Sequence, residues 1–197
     1  MPTGVALHDA RARLLAAAER VLTRDGAGAL TSRAVTEEAG VAKGVLHRHF
    51  ADFDDFLAEF VRARAAGIEA EIDSLDESTG TLVANLTRAL TRIFTPVNLG
   101  LVSLVITRDH LRTRLRTTTP HGIPLLSEAS TRLAAYLDAE RRRGRVNPGA
   151  DTRTLALTLI GTGHLLFAGE LGALPDASAV REIVEAITVA AEPGVRP

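Results

Sequence analysis

The sequence contains no cysteine. That removes disulfides, thiolate nucleophiles and cysteine-ligated zinc together, and it suits a reducing compartment. Residues 1–10 (MPTGVALHDA) lack a basic segment followed by an apolar run, so no secretory signal is expected. The most apolar stretch, Leu155 to Ala168, falls short of the roughly 20 residues a membrane span needs and carries His164. A soluble, cytoplasmic protein without membrane association is the expectation. Aromatic residues are scarce after Phe60, where only Phe94, Tyr136 and Phe167 remain, which disfavours an aromatic cage for large cations. Catalytic signatures are missing too: there is no G-x-S-x-G elbow, P-loop, H-E-x-x-H or dinucleotide fingerprint. His47 and His49 are two apart, on different faces of any helix, which spoils metal chelation. Neither an enzyme nor a metal or cofactor protein is expected.

What is present is ordinary globular composition: 197 residues, 46% hydrophobic and 24% charged. That length suits one domain, or a small module joined to a larger one. With a net charge of −1, the whole molecule has no general attraction for nucleic acid, so DNA binding would need a local surface. The charge is split: residues 1–50 carry seven basic against five acidic side chains, and the remainder 16 against 19. All basic residues are arginine except Lys43.

Spacings of three and four dominate the apolar pattern, and no strand-like alternation persists, so the fold class is all-α, with about nine helices. The first is expected from about Asp9 to Arg24, with Leu14, Leu15, Ala18, Val21 and Leu22 on one stripe and Asp25-Gly26 as its stop. Two short helices follow, from Thr31 to Ala39 and from Ala42 to His49. Thr31 and Asp52 are the expected N-caps of the second and fourth helices, with Asp54 and Asp55 favourably placed in the latter's first turn. Phe53, Phe56, Leu57, Phe60, Val61, Ile68, Ile72 and Leu75 keep helical spacing through that long fourth helix. After a weak segment at Glu77 to Gly80, further helices are expected at Thr81 to Thr95, Leu99 to Leu115, Pro124 to Arg143, Asp151 to Gly169 and Asp176 to Ala191. Pro96 and Gly100, Pro120 to Pro124, Gly144 to Gly149, and Gly172 with Pro175 punctuate the gaps.

Between the two short helices stand Ala39, Gly40 and Val41. A helix-turn-helix needs these in succession: a small residue where the helices cross, a glycine at the sharp turn, and an apolar anchor for the second helix. Leu46 and Phe50, four apart, can then point inward beside Val41, leaving Lys43, Gly44, His47 and Arg48 outward.

The run TSRAVTEEAGVAKGVLHRHFADFDDFL resembles the DNA-binding signature of TetR-family regulators at Thr31, Val35, Ala39, Gly40, Val41, Gly44, His49 and Phe50. The resemblance covers roughly residues 9–65. It implies a three-helix DNA-binding domain at 1–52 and a larger helical ligand-binding and dimerisation bundle at 53–197. The implied function is a ligand-responsive transcriptional regulator, a repressor released from operator DNA by a small-molecule inducer and acting as a homodimer. The sequence departs from the pattern at Ala42, where the family has a capping serine, at Val45, at His47, where a tyrosine meets phosphate, and at Phe53, where lysine is frequent. By similarity and donor chemistry, Thr31, Ser32, Arg33 and His47 are expected to position the DNA backbone; His47 donates from both ring nitrogens only when protonated. Lys43 and Arg48 can reach guanine edges, Val45 a thymine methyl, and Gly44 permits close approach.

The resemblance also places an inducer pocket and the dimer interface in the C-terminal half. Candidate ligand contacts are Phe94, Thr107, His110, Tyr136, His164 and Phe167, suited to a neutral or acidic small molecule between apolar walls. The near-continuous apolar helix Leu155 to Phe167, and a last helix with Val180, Ile183, Val184, Ile187 and Ala191 on one face, are the expected interface helices; both can equally complete a monomer core. A helical interaction protein without sequence-specific DNA binding is the alternative function.

Overall fold

A computed structural model of the chain describes residues 4–75, 80–169 and 175–189, with side chains from Ala10 onward. Glu77, Gly172 and Ala191 lie outside these residues. Among the described residues the fold is all-helical, with ten α-helices and one short 3-10 turn. They are α1 (Gly4–Asp25), the 3-10 turn Ala27–Ala29, α2 (Ser32–Glu38), α3 (Gly44–His49), α4 (Phe53–Asp73), α5 (Leu82–Ile93), α6 (Pro96–Thr107), α7 (Asp109–Leu115), α8 (Leu126–Arg142), α9 (Thr152–Phe167) and α10 (Ala177–Thr188).

The expected N-caps are in place. Thr31 Oγ1 accepts the Ala34 N–H at 3.1 Å, and Asp52 Oδ1 accepts that of Asp55 at 2.8 Å. Gly26 closes α1 with φ +79°, a left-handed conformation that costs glycine nothing.

Two expectations are corrected. The single helix Leu99 to Leu115 is two helices, broken at Arg108, whose backbone is extended (φ −114°, ψ 98°). Pro96 does not punctuate the gap but opens α6, where its missing N–H is no loss. The break gives Asp109 the first turn of α7, favourable for the helix dipole, and lets the Arg108 guanidinium reach Asp54. Further on, α8 starts at Leu126 because Leu125 takes a left-handed conformation (φ +75°), held there as its N–H donates to Glu128 Oε2 at 2.7 Å.

The chain divides into two compact units that interleave in sequence: Met1–Ala63 with Pro96–Ile123, and Arg64–Thr95 with Pro124–Pro197. In the first, α1 packs on α2, α3 and α6, burying Leu14, Ala18, Val21 and Leu22 of the expected stripe. A Cβ on Gly100 would meet Leu22 Cδ1 at 2.8 Å, so that glycine sets how closely α6 lies on α1. In the second, α8 lies along α9, and α10 packs on α5 and α9. The apolar face of α10 is thereby used inside its own unit, with Val180 and Val184 buried. Helix α9 buries Leu155, Leu159, Ile160 and Phe167 but leaves Leu157 64% and Leu165 42% exposed. No single helix among the described residues is long and apolar enough to cross a membrane.

Candidate nucleic-acid interface

The turn between α2 and α3 is built by backbone hydrogen bonds that only a left-handed residue permits. Gly40 has φ +63°; its N–H donates to Glu37 O at 3.1 Å, and that of Val41 to Thr36 O at 3.0 Å. This paired closure ends α2 and turns the chain sharply. Helix α1 holds the turn from behind: Arg13 Nη2 donates to Ala39 O at 2.9 Å. Arg20 and Arg24 both bind the Glu38 carboxylate, at 2.7 and 2.8 Å. Those two hydrogen bonds, Arg20 first, hold Glu38 below the usual carboxylate range.

Helix α3 is anchored from beneath. Leu46 is fully buried and Phe50 nearly so. The Phe50 ring meets Phe56 edge-on at 5.1 Å and carries the Arg11 guanidinium 4.9 Å above it. Arg11 is itself paired with Glu59 of α4. Val41, expected inward, is only half-buried.

With those anchors set, helical geometry decides what faces outward. Lys43, Gly44, His47 and Arg48 are exposed and Val45 half-buried. A Cβ on Gly44 would meet nothing within 4 Å. Its smallness serves no internal packing, and leaves open space in front of the helix. Helix α3 has no side-chain cap: Ala42 offers only its carbonyl, which accepts the Val45 N–H at 2.8 Å. On the α2 side, Thr31 is exposed, and its oxygen accepts the capping bond while its O–H remains a donor. Ser32 is half-buried. Arg33 is exposed but paired with Glu37 at 2.7 Å, a solvent-screened surface pair that a phosphate can displace.

Phe53, at the start of α4, stacks on Phe56 at 5.6 Å and lies under the Arg108 guanidinium at 5.8 Å. Arg11, Arg13 and Arg108 carried no local sequence signal, because their partners lie 26 to 54 residues away in the chain.

The candidate effector residues separate. Phe94, His164 and Phe167 come together: Phe94 stacks on Phe167 at 5.4 Å and sits 6.2 Å from the His164 ring. Gly163 permits this, since a Cβ there would stand 2.4 Å from Phe94 Cε2. His164 Nδ1 is buried with no hydrogen-bond partner among the described residues. Tyr136 is in the same unit, its hydroxyl accepting from Asn85 Nδ2 at 2.9 Å, and burial raises its pKa. Thr107 and His110 belong to the other unit and are exposed, with the Thr107 hydroxyl bonded back to Ser103 O at 2.8 Å. An open groove of about 390 Å³ between α8 and α9 is lined by Ser130, Thr131, Ala134, Ala135, Asp138, Arg153 and Leu157, and by none of the six candidates.

Several solved structures share this fold along nearly the whole chain. One, reported for the control of antibiotic production by bacterial hormones, superposes with a TM-score of 0.71 at 20% identity over 93% of this chain and 98% of its own. A gamma-butyrolactone receptor described as ArpA-like gives 0.65 at 19% identity over 95% and 90%. Reduced NemR from E. coli gives 0.73 at 14% identity over 95% and 100%. At such identities the likeness establishes the fold alone. No curated protein matches the sequence. Residues 14–60, which contain the helix-turn-helix, match the model for bacterial regulatory proteins of the tetR family.

Proposed function

We propose that this protein is a ligand-responsive repressor that binds operator DNA through α3 and leaves it when a small molecule binds the C-terminal bundle. The observation that carries the reading is the outward face of α3: three donors and an open glycine on a helix whose other face is fixed by Leu46 and Phe50. Lys43 and Arg48 read guanine edges, Val45 meets a thymine methyl, and Gly44 lets the backbone approach. Thr31, Ser32, Arg33 and His47 hold phosphates and set the register. In this division residues 1–52 form the DNA-binding part and 53–197 the effector and dimer part. Such a regulator works in the cytoplasm, with the DNA.

The effector reading rests on Phe94, Phe167 and His164, which offer two apolar rings and one buried nitrogen that has no hydrogen-bond partner among the described residues. That pairing suits a small, mostly apolar molecule with one hydrogen-bonding group. A butyrolactone, named for one of the similar structures, has that chemistry. For dimerisation we assign the α8–α9 face, where Leu157, Leu165 and Ala135 are exposed. A two-fold dimer on that face presents two copies of α3, and operator half-sites one duplex turn apart, about 34–36 Å, are expected.

The test is a mobility shift with the DNA upstream of the protein's own gene. A salt-sensitive complex is expected. Its absence, with retained binding to a protein partner, would favour a helical interaction module instead.

A further inference from the structure

The first turn of α4 places three carboxylates, Asp52, Asp54 and Asp55, directly after α3. They suit the positive end of the α4 dipole, and Asp52 is its cap. For a neighbouring phosphate backbone, however, three negative charges beside α3 are repulsive. Asp52 and Asp55 are well exposed, with half and more than a third of their side chains accessible.

Each carboxylate is met by an arginine from beyond the α6–α7 break. Arg108 donates to Asp54 Oδ1 through Nη2 at 2.7 Å and Nε at 3.0 Å. Arg114 is paired with Asp52 and lies 3.8 Å from Asp55 Oδ1. These residues belong to one compact unit. Among the described residues, the corner where α6 ends and α7 begins therefore faces the acidic turn with cations, 54 to 62 residues distant in sequence.

We infer that Arg108 and Arg114 are positioning residues for DNA binding that act through the acidic turn: they offset two of the three negative charges of Asp52, Asp54 and Asp55 so that phosphates can pass beside α3. This makes the α6–α7 corner part of the DNA-binding surface, although neither arginine touches a base. It also explains how the surface tolerates three acids around Phe53, which stands where the tetR-like pattern favours lysine. The ring is covered by Arg108, and most of the local negative charge is offset by two arginines supplied from a distance. The inference rests on the DNA-binding reading above.

The test measures the affinity of the full chain for a random-sequence duplex of about 30 base pairs, where phosphate attraction dominates, between about 50 and 200 mM salt. Wild type, Arg114→Gln and the double variant Arg114→Gln with Asp52→Asn are compared. Asparagine still caps α4, so the second change removes charge without removing the cap. Arg114→Gln is expected to weaken binding most at low salt. A change of one effective charge alters the salt slope by about 0.9, so its deficit should shrink about threefold across that range. Adding Asp52→Asn should restore most of the lost affinity. A deficit equal at all salts, or one that Asp52→Asn does not restore, would reduce Arg114 to a structural role and overturn the inference. No deficit in Arg114→Gln would overturn it as well, with the DNA-binding reading intact. Absence of any duplex binding by wild type would overturn both.

Discussion

Two helical glycines show how differently the two units use the same residue. On α3, Gly44 faces empty space, and a methyl group there would touch nothing. On α9, Gly163 is pressed by the Phe94 ring, and a methyl group would stand 2.4 Å from it. The first answers no packing need inside the chain, and the second serves packing inside it. In the N-terminal helices the buried side is fixed by anchors and the free side carries donors. In the bundle of α5, α8, α9 and α10, aromatic and polar groups turn inward, and the open α8–α9 surface mixes exposed Leu157 and alanines with Thr131, Asp138 and Arg153.

The largest effect is expected at the anchor of α3. Phe50→Ala should cost about 3–5 kcal/mol in denaturant unfolding, because it removes a buried ring that touches Phe56 and carries Arg11. A cost under about 1 kcal/mol would mean that α3 is held by something else. Gly163→Ala should cost about 1–3 kcal/mol, as overpacked sites do, and should disturb Phe94. Lys43→Ala should leave unfolding unchanged but cost about 1–3 kcal/mol of binding at a cognate site if it reads a base; equal losses on all sequences would mark it as a phosphate contact. Gly44→Ala sharpens the contrast with Gly163 directly. Stability should hold or rise by a few tenths of a kcal/mol, since alanine is the better helix former, while DNA affinity falls. Parallel losses of stability at both glycines would erase the distinction.

The smallest expected effect is a pH dependence at the α1–α2 junction. Arg20 and Arg24 hold Glu38 below the ordinary carboxylate range, so its folded value lies beneath its unfolded one. Its contribution is then fully present above the unfolded value and is lost as pH falls through the folded one. Glu38→Gln should therefore be slightly less stable than wild type at neutral pH. The difference should vanish in acid, as thermal unfolding across that range would show.

The sequence was most informative where one residue type satisfies one backbone requirement. Thr31 and Asp52 cap as expected because their side-chain oxygens meet N–H groups only three residues away. Gly40 marks the turn because that position needs a positive φ. The exposed set on α3 followed from the spacing of Leu46 and Phe50 alone. What stayed hidden depends on partners distant in sequence. The break at Arg108 accompanies an ion pair with Asp54, 54 residues earlier, and nothing local in VITRDHL announces it. The apolar face of α10 was legible, but not that α5 and α9 would cover it. Among the effector candidates, Phe94, His164 and Phe167 meet through the close approach at Gly163. Thr107 and His110 share their helical stretch only in sequence, and the chain folds them into the other unit.

Whether α3 reads DNA can be asked without a known operator. Selection from a randomised duplex library with the full chain, repeated with Lys43→Ala, tests it most directly. An enriched sequence with two inverted half-sites one helical turn apart, weakened or relaxed in the variant, is the predicted result. Recovery of no preferred sequence at any salt concentration would contradict it.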